Sequence, residues 1–172
     1  TQTQAADFEA LWEIVDQRAN TTTGFSGTLF RARNTVESLG IREGELVISM
    51  RSTEFIDDAV RDNAANTLEI KNTGWAWGQL ADMESWYRSL LDSGMIGESQ
   101  HYSVTGYSLG GHLATAFTLL RREDGTQSRV DRVVTFNGAG VGQVKQGSLT
   151  DALSYFNELR AHPEQIKAAL MN

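Results

Sequence analysis

An α/β fold with a mixed sheet and helices on both of its faces is predicted by three features of the sequence. Short runs rich in β-branched and aromatic residues, at 46–51, 102–105 and 130–136, read as strands. Apolar residues at helical spacing mark two helices, one through Leu80, Met83, Tyr87 and Leu90, the other through Leu109, Leu113, Ala116, Phe117 and Leu120. The second helix lies between two strands, and a strand, helix, strand order demands a parallel pair joined by a crossover.

Taken in order, Phe8, Leu11, Trp12 and Val15 fall at helical spacing behind Asp7, which predicts a helix over 7–18 with Asp7 as N-cap. A polar turn at 20–24 leads to a strand over 25–33. Glu43-Gly44 turns the chain into the strand at 46–51, and the two strands pair antiparallel. From 53 to 73 periodicity fades into loop with short elements, one of them a strand at 67–71. Asp57-Asp58 within it reads as a solvated acidic pair rather than a metal or acid/base site. Trp75 and Trp77, beside Gly74 and Gly78, either cap the core or line an acyl pocket, and packing is favoured. A helix over 77–92 stops at Gly94.

The most informative stretch is 101–120, HYSVTGYSLGGHLATAFTLL, in which a strand meets a helix at one serine. Gly106-Tyr107-Ser108-Leu109-Gly110 matches G-x-S-x-G in the strand-turn-helix setting that a nucleophile elbow requires. Such a turn presses the residues two before and two after the serine together, so both must be glycine. The helix then aims its N-terminal N–H groups and dipole at the serine, where negative charge on a substrate oxygen would be stabilised. Beyond it come a charged helix end at 121–125, a buried strand at 130–136, a glycine run at 138–142, an amphipathic helix through Leu149, Leu153, Phe156 and Leu159, and a short helix begun by Pro163.

The segment VTGYSLGGHLA resembles the elbow of class 3 lipases, a family of α/β-hydrolases. That family carries a strand ending in Arg-Gly-Thr or a close variant, and Val47-Ile48-Ser49-Met50-Arg51-Ser52-Thr53 is similar, with Ser52 in place of the glycine. Its Gly-Ala-Pro loop after the elbow helix is matched by Asn137-Gly138-Ala139-Gly140-Val141-Gly142 without the proline. The similarity runs from about Gly24 to Gly142. It implies an α/β-hydrolase-like fold and a lipase or carboxylesterase activity on an ester or lipid substrate, with no cofactor and no metal. Ser108 would be the nucleophile, and the N–H groups of Leu109 and Thr53 the oxyanion hole. The family's acid and histidine lie on later strands and loops. We therefore expect residues 1–172 to be one domain, an N-terminal portion incomplete at its C-terminal side, prone to self-association or to association with the missing segment.

A serine nucleophile needs a histidine base, and the sequence offers His101, His112 and His162. His101 opens the elbow strand at the end away from Ser108; His112 is carried by the elbow helix; His162 precedes Pro163 between two helices instead of following a strand. Among acids, Asp131 begins a strand and sits at the wrong end of a parallel sheet, and Asp151 starts a helix. A second reading, a nucleotide-binding module, rests on Gly138-Ala139-Gly140 after a strand, but the third glycine of that fingerprint would fall at Gln143. A third is a non-catalytic fragment of the hydrolase fold.

Composition narrows the classes further. A net charge of −7 repels phosphates and argues against nucleic acid. No apolar run reaches membrane-spanning length, and the absence of cysteine excludes a disulfide framework and a thiol nucleophile. Secretion and the cytoplasm both stay open. The chain opens on Thr1 without a charged-then-apolar signal segment, so a processed or cut chain is expected.

Overall fold

The computed structural model describes residues 1–51, 70, 74–123, 125–140 and 149–171. In chain order these form helix α1 (Gln2–Leu11), strands β1 (Trp12–Arg18), β2 (Gly27–Ala32) and β3 (Leu46–Met50), helix α2 (Trp77–Asp92), strand β4 (Tyr102–Tyr107), helix α3 (Leu109–Glu123), strand β5 (Val130–Phe136), and helices α4 (Leu149–Ala161) and α5 (Pro163–Met171). The strands make one mixed sheet in the order β1-β2-β3-β4-β5. β1, β2 and β3 pair antiparallel, whereas β3, β4 and β5 run parallel. The fold is α/β, as the sequence predicts.

Strand alternation sorts the sheet into two unlike faces. Leu29, Leu46, Ile48, Met50, Tyr102 and Val104 share one face in register and are all buried. α2 and α3 both cover that face: Tyr102 meets Tyr87 of α2 and Phe117 of α3 edge to face. α4 and α5 pack outside on α2, which explains why α2 is buried around most of its circumference. The opposite face carries Thr28, Phe30, Val47, Ser49, Thr105 and Tyr107, all partly or fully exposed. Among the described residues only α1 approaches it, with Phe8 edge-on to Phe30 at 5.3 Å, and α1 buries no residue. Among the described residues, then, helices layer one face and not both.

Two further expectations need correction. The helix predicted over 7–18 is instead α1, capped by Thr1 through a capping box with Gln4, followed directly by β1. The spacing of Phe8, Leu11, Trp12 and Val15 straddles the two elements. Pairing of Trp12 with Ala32 and of Glu13 with Arg31 draws the second half into the sheet, so tertiary pairing overrides a helical pattern. β5, expected to be buried, is the edge of the sheet among the described residues, with Val133 40%, Val134 44% and Phe136 57% exposed. Its apolar run resembles that of a covered strand, but a strand is buried only when neighbours and layers enclose it. Among the described residues no helix is long and apolar enough to cross a membrane.

The charged end predicted for the elbow helix also proves partly internal. Arg121 is 2% exposed, and its Nη2 donates to both carboxylate oxygens of Glu84 at 2.6 and 2.7 Å. The guanidinium lies 4.3 Å over the ring of Tyr87 and 4.9 Å over Phe117. Arg88, one turn further along α2, approaches Glu84 at 3.9 Å from the solvent side, so removing Arg121 leaves the buried carboxylate with this longer contact in place of its close one. Arg121→Met should therefore destabilise the fold by about 3 kcal/mol in urea denaturation, and adding Glu84→Met should recover much of that loss. If the single variant were as stable as the wild type, this pair would not tie α2 to α3.

Candidate functional site

β4 ends at Tyr107 and α3 begins at Leu109, so Ser108 alone makes the turn between them. Its φ is +53°, in the left-handed region; Asn137, at the end of the neighbouring strand with φ +46°, is the other non-glycine residue there among those described. Asn accepts this conformation readily, whereas a serine does so at a cost of about 1–3 kcal/mol and only when its surroundings impose it. The surroundings do. The Ser108 N–H donates to the Phe136 carbonyl at 2.9 Å, and the Ser108 carbonyl accepts from Gly111, His112 and Ala139 N–H groups at 3.0, 3.3 and 3.0 Å.

The flanking glycines permit this geometry. A Cβ on Gly106 would overlap the carbonyl of Gly110 and lie 2.7 Å from the Gly111 nitrogen. One on Gly110 would overlap the Met50 carbonyl and lie 3.0 Å from the Arg51 oxygen, so the end of β3 abuts the first turn of α3. One on Gly111 would come within 2.7 Å of the Gly138 Cα, where the loop after β5 packs against the same turn. Leu109 and Gly110 head α3, and N–H groups in that first turn have no acceptor within the helix. With the helix dipole they present partial positive charge beside Ser108. Thr53 lies outside the described residues, as do Asp57, Asp58, Val141 and Gly142; of the strand expected at 67–71 only Ile70 is described, and it is buried and helical rather than extended.

All three histidines are placed, and among the described residues none is hydrogen-bonded to the Ser108 side chain. His101 stands exposed before β4, its Nδ1 2.8 Å from Asp131 Oδ1 at the start of β5. This is the opposite end of the parallel strands from Ser108. The register of the parallel pair brings the two residues together, since Tyr102 pairs with Val130, a pairing that no local pattern in the sequence announces. His162 is exposed and opens α5, its carbonyl accepting from Gln165 and Ile166. Asp151 lies in the first turn of α4.

His112 is 1% exposed, and the elbow motif carries no sign of the contacts it makes. Its Nε2 accepts the Ala76 N–H at 3.2 Å, and its Nδ1 lies 2.6 Å from the Gly140 carbonyl. A backbone N–H can only donate and a carbonyl can only accept, so the proton sits on Nδ1 and the ring is neutral. Burial pushes its pKa below the usual histidine value, partly opposed by the bond to Gly140. Trp75 packs on the imidazole at 5.5 Å and edge-on to Phe156 at 4.7 Å, while Trp77 stacks on Tyr155 at 5.2 Å. Both indoles are thus core rings closed over by α4, which favours the packing reading. In the glycine loop the Ala139 N–H and Gly140 carbonyl are engaged by Ser108 and His112.

Compared with protein-family models, curated proteins and solved structures, the chain gives no match.

Proposed function

We propose that this chain is a serine ester hydrolase of the class 3 lipase type, acting on an ester or lipid carbonyl through Ser108. The observation that carries the reading is the left-handed Ser108 at a strand-to-helix junction that only glycines at 106 and 110 permit. In this reading the Ser108 hydroxyl attacks the carbonyl carbon, and the N–H of Leu109 takes the developing oxyanion at the head of α3. Thr53, two residues past Arg51, is the proposed second donor; the approach of Met50 and Arg51 to Gly110 supports a role for the chain just beyond β3.

The proton must leave the hydroxyl for a base. Both ring nitrogens of His112 are committed to backbone groups, His101 is bonded to Asp131 at the far end of the sheet, and His162 is on α5. The reading therefore requires a base that these histidines do not supply in this arrangement. Its direct test is covalent: a fluorophosphonate should modify the wild-type chain and leave Ser108→Ala unmodified. Equal modification of both proteins would remove Ser108 from the mechanism.

A further inference from the structure

His112 does more than fill space behind the elbow. Two segments that are distant in sequence meet at its ring: residues 74–77, which lead into α2, and residues 136–140, the end of β5 and the loop that leaves it. The second segment also grips the nucleophile turn from both sides, accepting the Ser108 N–H at Phe136 and donating to the Ser108 carbonyl from Ala139. We propose that His112 is a positioning residue, whose neutral ring bonds Gly140 and Ala76 at once and so holds the 136–140 clamp that keeps Ser108 in its left-handed conformation. The proposal rests on the reading of Ser108 as nucleophile for its catalytic consequence, but its structural content stands on the hydrogen bonds alone.

The chemistry makes the clamp sensitive to acid. Protonation would place a hydrogen on Nε2, facing the Ala76 N–H donor against donor, and the bond would break. Among the described residues the elements around the ring bring no countercharge: the segment before α2 contributes Trp75 and Ala76, the 137–140 loop a backbone carbonyl, and α3 its own first turn. From α4, Phe156 reaches Trp75 and the titratable Tyr155 stacks on Trp77, one ring further out. Because the folded pKa is lowered, the unfolded chain binds more protons between the two values. The stabilisation is complete above the usual histidine value of 6.5 and is lost as pH falls through the lowered folded value.

The test follows amide hydrogen exchange at Ala76, Ser108 and Ala139 as a function of pH, corrected for intrinsic rates, together with the rate of fluorophosphonate modification. Three full-length proteins are compared: wild type, His112→Gln, and His112→Phe. A glutamine can accept and donate at once and does not titrate. It should keep protection close to wild type above the histidine range and lose the excess opening that wild type shows in acid. Phenylalanine keeps the ring without its bonds and should raise corrected exchange at Ala76 and Ala139 roughly tenfold at all pH values. Modification of Ser108 should fall in the same order. Should His112→Phe fail to fold, the comparison of wild type with His112→Gln still decides. Identical acid profiles in those two proteins, or unchanged exchange in a folded His112→Phe, would overturn the proposal. A wild-type chain that never reacts, yet shows the expected exchange pattern, would instead sink the hydrolase reading and leave the positioning role standing.

Discussion

Gly106→Ala is expected to destabilise the chain by about 3 kcal/mol or more, and to lower its melting temperature by roughly 10 °C. The direction is opposite to the usual one. At a position whose backbone an alanine can adopt, Gly→Ala stabilises by about 0.4–1 kcal/mol through the unfolded state. Gly106 is not among the glycines with positive φ, so conformational strain is not the obstacle. The obstacle is space: the new methyl would overlap the Gly110 carbonyl and press on the Gly111 nitrogen, both backbone atoms of a helix start that cannot move aside cheaply. Gly97 supplies the control, since a Cβ there meets only the Gln100 side chain at 3.7 Å. Gly97→Ala should change stability by less than about 1 kcal/mol. If the two variants melt together, the close approach at the elbow is not what holds it.

The second large effect is on turnover. The chain should hydrolyse a short p-nitrophenyl ester very slowly, because a serine without its base loses on the order of 10⁶-fold in kcat where this has been dissected. His101→Ala and His162→Ala should leave that slow rate within about twofold, within the scatter expected of surface changes. Both side chains are exposed, one bonded to Asp131 and the other at the start of α5. Rapid hydrolysis abolished by Ser108→Ala and by His162→Ala would show that His162 reaches the nucleophile in solution and that the account of the missing base is wrong.

What the sequence made legible follows from how local each signal is. The strand-to-helix turn was readable because its requirement is steric and confined to five residues, and the strained backbone expected at Ser108 takes the form of a left-handed φ. α2 was readable to the residue, because an apolar stripe runs its whole length and Gly94, at φ +73°, ends it. α1 and β1 were not. Four apolar residues spaced for a helix were divided by a pairing with β2 that no local pattern announces. The exposure of β5 was hidden for the same reason: Val133, Val134 and Phe136 read as core, and only the sheet order puts them at an edge. His112 was visible as a residue but not as a connection. Its partners are backbone groups at Ala76 and Gly140, and backbone hydrogen bonds leave no mark on the identity of the residues that make them.

The central claim is that Ser108 is a nucleophile set by its turn, and site mapping of a covalent adduct tests it most directly. Even without a base, an oxyanion hole and binding retain catalysis of about 10³–10⁴-fold over water where triads have been dismantled, so slow stoichiometric reaction is expected where turnover is not. The wild-type chain is incubated with a fluorophosphonate in mildly alkaline buffer, its intact mass is followed with time, and the modified peptide is sequenced. The account predicts one adduct per chain, on Ser108, absent from Ser108→Ala. No adduct after prolonged incubation, or adducts spread over several serines and unchanged in Ser108→Ala, would contradict it.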